Sequence, residues 1–212
     1  LHVFFLSDHS LRGTVDIQFG VELKWDRPQT EGYPHTFLQN QGTGPSGPKP
    51  WHRYSCPNIG RELQAFDAVL VAGYANNYYQ QGIRAARRLG LPLLLRGAAT
   101  DHAERRSWWK RSLRSLYLRR LYKQFEVLLP IGQRARWHYN AHGVPACKLV
   151  DAPYNIDDEY FRPAADEARA NRAQLRTALE LPPEGEAFVL LYAGKFIPQK
   201  DPETFAAALQ RV

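Results

Sequence analysis

Between Pro57 and Gly97, helix-like and strand-like stretches alternate with connections of only a few residues, and this alternation restricts the fold more than any other feature of the chain. Pro57 to Phe66 reads as a helix capped near Asn58, and Ala68 to Ala72 (AVLVA) is an apolar run of strand length. A second helix is expected from about Asn76 to Leu89, with Ile83, Ala86 and Leu89 on one face and Gly90 and Pro92 as its stop. The strand Pro92 to Arg96 (PLLLR) follows and ends in Gly97. Strands joined through helices by short connections lie parallel and wind right-handedly, so the expected fold is α/β, with a Rossmann-like doubly wound parallel sheet. Ligands in such sheets collect at the carboxyl ends of the strands, which puts Tyr74, Arg96 and Gly97 where a substrate is expected.

The rest of the chain extends this pattern. Leu1 to Ser7 is a near-continuous apolar run, expected to be a strand buried on both faces. Asp16 to Asp26 alternates polar and apolar residues, and a further strand is expected at His35 to Gln39. Gln41 to Pro50 (QGTGPSGPKP) is a loop, either facing a ligand or serving as a plain surface connection. Strand Val127 to Ile131 and helix Gln133 to Ala141 come next, the helix stopping at His142-Gly143. Lys148 to Pro163 reads as a strand and an extended connector, and Pro163 to Glu180 as a helix broken by Pro182-Pro183.

Residues 189–200 (VLLYAGKFIPQK) read as a buried strand, Val189 to Ala193, running into Gly194, with Lys195 and Lys200 on either side of Pro198. Asp201 and Pro202 then begin a helix, a capping carboxylate followed by a proline whose fixed φ suits the first helical position. A strand, a glycine, a cationic loop and a helix start together suit a phosphate. The same spacing is common in strand-to-helix turns whose lysines serve only solubility, and by spacing alone that plainer reading is favoured.

At 212 residues, 44% hydrophobic and 12% aromatic, the chain has ample material for a core, in one large domain or parts of two. It has no apolar run of membrane-spanning length, no methionine and no signal peptide, and it opens directly on a strand-like run, so a piece of a longer protein is expected. Cys56 and Cys147 show neither metal-ligand nor redox spacing, and a reducing compartment is expected. The net charge of +7 suits phosphates, nucleic acids or anionic membranes alike. It concentrates between Arg105 and Phe125, where eight arginines or lysines occur with no acid. A helix over about Ala103 to Gln124 carries Trp108, Trp109, Leu113, Leu116, Tyr117, Leu121 and Phe125 among these charges, and most of that stripe is expected to face the core. Its basic side is a solvated face or a surface for anionic lipid; no recognised nucleic-acid module accompanies it. His138 and His142 are four apart, but neither a glutamate beside the first nor a third ligand accompanies them, so no metal site is expected.

Residues 189–200 resemble the loop that opens the C-terminal domain in family-4 glycosyltransferases of the GT-B fold, commonly VGRLxxxKG. Lys195 stands where arginine is more frequent, and Lys200 matches directly. Residues 143–163 (GVPACKLVDAPYNIDDEYFRP) are similar to that family's interdomain connector, GVPxxKxxVxPNGVDxxxFxP. Pro153, Asp157, Phe161 and Pro163 match, and Tyr154-Asn155 replaces the usual Asn-Gly. The resemblance implies an acceptor-side domain over 1–150, incomplete at its start, a connector over 151–163, and the beginning of a second Rossmann-like, nucleotide-sugar-binding domain over 164–212. It implies sugar transfer with retention from a nucleoside-diphosphate sugar to a glycan, lipid-linked or small-molecule acceptor, in cell-envelope glycan or glycolipid synthesis. No metal or other cofactor is implied. Gly194, Lys195 and Lys200 are the implied donor contacts. The family often has a histidine where this chain has Arg96, so Arg96, Asp101 and His102 are the catalytic candidates, and Trp25, Asp26 and the glycine-rich loop Gln41 to Pro50 are candidate acceptor contacts. The family's paired-glutamate loop has no counterpart up to Val212, so this piece alone is expected to be inactive. The implied setting is the cytoplasm, peripheral on the inner face of the plasma membrane. Competing readings are a sugar-nucleotide epimerase of the same architecture and a non-catalytic membrane- or carbohydrate-binding module.

Overall fold

The computed structural model describes residues 1–8, 11–16, 21–23, 28–44, 49–99, 107–194, 196–197 and 200–209, with the backbone alone for 14–16 and 21–23. The chain divides into two compact units, Leu1–Arg12 with Lys24–Tyr154, and Gly13–Leu23 with Asn155–Val212.

The first unit is α/β. Strand β1 (Val3–Phe5) opens it; β2 (Thr14–Asp16) and β3 (Val21–Leu23) form an antiparallel hairpin in the second unit. Then come β4 (His35–Phe37), helix α1 (Ile59–Leu63), β5 (Val69–Val71), α2 (Asn77–Arg88), β6 (Leu93–Gly97), α3 (Trp108–Tyr122), β7 (Val127–Pro130) and α4 (Gln133–Ala141). β5, β6 and β7 form a parallel ladder in that order, with Leu70 opposite Leu94 and Leu94 opposite Val127. β1 pairs in parallel with β4, Val3 opposite His35. Tyr78 of α2 donates to the Phe4 carbonyl at 3.3 Å, and Leu6 joins the buried cluster beneath the β5–β7 ladder.

Local chemistry sets the helix ends. Asn76 caps α2 from extended backbone, its side chain accepting the Tyr79 N–H at 3.0 Å. Past the other end Gly90, at φ +70°, donates to the Arg87 carbonyl while Leu91 donates to that of Ala86, a Schellman stop. Gly143, at φ +82°, closes α4 in the same way, with Val144 donating to the Tyr139 carbonyl.

Each step from β5 to β7 moves in one direction, so right-handed crossovers put their helices on one face of the ladder. That face is the core: Val71, Leu93, Leu95 and Leu128 are buried with Ile83, Ala86, Leu118, Leu121, Tyr122, Phe125 and Tyr139. On the other face Leu94 and Leu129 are partly buried and Leu70 is 48% exposed.

Several expectations change. β1 is shorter than the apolar run at Leu1 to Ser7 and only partly buried, since among the described residues it is paired on one edge alone. In α3, Leu118, Leu121 and Tyr122 are buried, whereas Trp108, Trp109, Leu113 and Leu116 are exposed, so the stripe is split between two sides of the helix. The strand expected from Lys148 is reduced to an isolated parallel bridge between Leu149 and Leu128 of β7. The chain makes a 3-10 turn at Ala146–Lys148 and then runs beside β7, with Val150 donating to the Leu128 carbonyl and Ala152 to that of Pro130. The helix expected from Pro163 starts earlier, as α5 (Asp158–Ala170), because Asp157 caps it: its carboxylate accepts the Tyr160 N–H at 3.1 Å. Pro163 then lies inside the helix.

The second unit continues with α6 (Arg172–Ala178) and α7 (Pro202–Leu209). Val189 to Ala193 is not a strand, and Leu191 is 85% exposed. A strand is held by ladder hydrogen bonds to a neighbour. The only strands among the described residues of this unit are β2 and β3, which pair with each other. No side chain described in the second unit is buried.

Candidate functional site

Because β5, β6 and β7 are parallel, their carboxyl ends share one edge, which carries Tyr74, Arg96-Gly97 and Gly132. Gly132 opens α4 with no side-chain cap, so the first amides of that helix face outward unsatisfied by a cap.

Tyr74 does not stand free at this edge. Its ring packs edge-on against Tyr122 at 6.1 Å, and its carbonyl accepts the Gln80 amide at 2.9 Å. Tyr122 in turn meets Tyr139 at 5.1 Å and shares a hydrogen bond of 2.8 Å with His138 Nε2. His142 contacts the His138 carbonyl through Nδ1 at 2.8 Å. The two histidines therefore serve the core, and no group of three metal-binding side chains occurs among the described residues. Burial lifts the Tyr122 and Tyr139 hydroxyls well above the ordinary tyrosine range, with Tyr74 the next contribution to each. Both stay protonated. Tyr139 Oη is fully buried, lacks a hydrogen-bond partner among the described residues, and lies against Gly97.

Arg96 lies on the less covered face of the ladder and reaches over β7. Its Nη2 donates to the Pro153 carbonyl at 3.1 Å and to that of Ala152 at 3.3 Å, Nε donates to Ala152 at 3.4 Å, and the guanidinium lies 5.1 Å from the Tyr154 ring centre. Arg136 of α4 grips the same segment through Asp151 at 2.8 Å and the Leu149 carbonyl. Arg96 is thus a clamp on the connector. Its partners are backbone carbonyls more than fifty residues away in sequence, which no side-chain pattern advertises.

Asp101 and His102 lie outside the described residues, as do Trp25, Asp26 and Lys195. In the second unit, Lys200 is exposed and its carbonyl accepts the Tyr192 hydroxyl at 3.1 Å. Tyr192 also packs against Phe205 of α7 at 5.4 Å, so one tyrosine ties both ends of the loop. Gly194 would place a Cβ no closer than 3.4 Å to its neighbours, so packing does not require a glycine there. Pro202 is the first residue of α7, and Asp201 accepts the Thr204 N–H at 3.3 Å, from a left-handed backbone at φ +51°. That capping bond occupies one of the helix-start amides, leaving the lysines as the main attraction for an anion.

The loop at Gln41 to Pro50 is ordered at its base. Asn40 accepts the Gly42 and Ser55 N–H groups at 2.9 and 3.0 Å and donates to the Arg53 carbonyl at 2.9 Å. Gly42 lies so close to the His52 and Arg53 carbonyls that a Cβ has no room. Neither Asn40 nor the Tyr139–Gly97 contact was marked by a sequence motif.

Among the described residues no helix is long and apolar enough to cross a membrane. No family model, no curated protein and no solved structure matches the chain.

Proposed function

We propose that this chain carries part of the framework of a retaining glycosyltransferase that uses a nucleoside-diphosphate sugar, of the family-4, GT-B kind. The observation that carries the reading is the order of three pieces: a parallel α/β unit, a connector with Pro153, Asp157, Phe161 and Pro163, and the lysine loop ahead of α7. In this reading β4, β1, β5, β6 and β7 belong to one doubly wound acceptor-side sheet, and residues 164–212 begin the donor-side domain. The donor's diphosphate lies against Gly194, Lys195 and Lys200. As the glycosidic bond to the donor breaks, negative charge grows on the departing diphosphate, and two ammonium groups together with free amides of the α7 start stabilise it without a metal. Lys195 attracts as a point charge and lacks the two-pronged geometry of an arginine. Arg96 acts through the connector it clamps, which makes it a positioning residue, and Asp101 and His102 are the groups offered to the sugar. In this reading the donor is drawn from the cytoplasm, where the reaction takes place.

The test is calorimetric titration with a panel of nucleoside diphosphates and their sugars. At least one donor is expected to bind, and Lys195→Ala with Lys200→Ala is expected to weaken it tenfold or more. Equal affinity of the double variant would overturn the site, and binding of no donor would overturn the function.

A further inference from the structure

Helix α3 is apolar on two opposite sides. Leu118, Leu121 and Tyr122 face the core, and at 3.6 residues per turn the opposite side is formed by Trp109, Leu113 and Leu116, spaced four and three apart. These three are 52%, 63% and 50% exposed, and Trp108 beside them is 75% exposed. A helix that needed only to cover a sheet would carry polar residues there. Around the outer stripe are Lys110 at one end and Arg119, Arg120 and Lys123 at the other, all exposed, and the sequence from Arg105 to Phe125 contains no acid. The Lys110 ammonium lies 5.3 Å from the centre of a Trp109 ring.

We infer that the outer face of α3 docks on an anionic lipid bilayer, the helix lying in the plane of the interface. Tryptophans favour the headgroup boundary, leucines enter the acyl region, and the surrounding cations meet lipid phosphates. Charge complementarity selects this occupant: a stripe flanked along its own helix by cations and by no acid matches an anionic surface. The inference goes beyond the transferase reading and does not depend on it, because vesicle binding is measured without donor or turnover.

The experiment is flotation of the full chain with phosphatidylcholine vesicles with or without phosphatidylglycerol, at low and at physiological ionic strength. The chain is expected to float with the anionic vesicles, less so in salt, and not with the neutral ones. Two variants locate the site, Trp109→Ser with Leu113→Ser and Leu116→Ser, and Arg119→Glu with Arg120→Glu and Lys123→Glu. All six side chains are exposed, so unchanged circular dichroism is expected of both. The first should lose binding at least tenfold, and the second more, at roughly fivefold for each lysine or arginine removed. Absence of flotation at low salt, equal flotation on neutral vesicles, or retention of binding by both variants would each overturn the inference. So would a native dimer in solution that the first variant converts to monomer, since a second copy would then cover this face.

Discussion

Gly97 ends β6 with its Cα turned toward Tyr139: a Cβ there would lie 2.9 Å from Tyr139 Oη and, among the described residues other than its chain neighbours, within 4 Å of no other atom. That oxygen is buried and has no hydrogen-bond partner among the described residues. Two substitutions probe this contact from opposite sides. Tyr139→Phe breaks no hydrogen bond and removes a desolvated hydroxyl, so it should stabilise the first unit by about 1 kcal/mol. Gly97→Ala forces a carbon too close to the oxygen, an overpacking cost of about 1–3 kcal/mol. It also restricts the unfolded chain, which returns about 0.5–1 kcal/mol. The net effect is a loss of about 1–2 kcal/mol. In the Tyr139→Phe background the obstacle is gone and only the entropic gain is left, so the same Gly97→Ala change should become neutral or mildly stabilising. The coupling energy is then about 2 kcal/mol, against roughly 0.5 kcal/mol or less for independent sites. Urea unfolding of the four proteins, followed by near-ultraviolet circular dichroism of the tyrosines, measures it. Additive effects would refute the contact. A Tyr139→Phe variant destabilised by more than about 1 kcal/mol would show that the hydroxyl has a partner after all.

Arg96→Ala should cost about 2 kcal/mol, since several charged-donor hydrogen bonds to carbonyls are lost, and should speed proteolysis within 152–157; Arg96→Lys should recover little, having no fork to span two carbonyls. Stability should fall in alkali. Tyr122 and Tyr139 have folded-state pKa values raised above the ordinary 10.0, so their contribution is complete below that pH and declines once the unfolded chain ionises. With two groups the slope approaches about 2.7 kcal/mol per pH unit, and a flat profile between about pH 9 and about pH 11 would contradict it. Glu180 ends α6 in left-handed backbone at φ +54° with the Schellman bonds made by Glu180 and Leu181. Glu180→Gly should therefore stabilise the second unit by about 1 kcal/mol, read as a rise in its melting temperature. Amide exchange should be much faster in α5, α6 and α7 than in α2 and β6, because no side chain described in the second unit is buried; equal protection would sink that argument.

The elements of the first unit were legible wherever their causes are local. Asn76, Gly90 and Gly143 mark helix ends by their own side-chain or backbone chemistry, and the span of α4 follows from its bounding glycines. The apolar runs at Val69–Val71 and Leu93–Gly97 fit strands because helices of nearby sequence bury them. Where a feature depends on distant partners, the pattern misled or was silent. Periodicity marked Leu121 together with the exposed Trp108, Trp109, Leu113 and Leu116 of α3, but passed over Leu118 and Tyr122, which the core buries. Arg96 looked like a substrate contact because its place at a strand end is local, whereas the carbonyls it binds are remote.

Val189 to Ala193 makes the same point more sharply, and it bears on what the lysine loop can do. Alternation and hydrophobicity were sufficient for β5 and β6 because each has a ladder neighbour; the equally apolar Val189-Leu190-Leu191 has none among the described residues and stays exposed. Without ladder bonds or buried side chains, the position of Lys200 rests on local ties: the Tyr192 hydroxyl on its carbonyl, the Tyr192–Phe205 contact, and the Asp201 cap of α7. A diphosphate held there must meet the entropic cost of fixing the loop from its own charge contacts, since no neighbouring core has fixed it beforehand. On the transferase reading, the lysines therefore supply attraction while precise placement depends on burying Val189, Leu190 and Leu191 as a strand. On that reading the charge is local to the sequence 195–200, while its geometry needs strand pairing that the described residues do not supply.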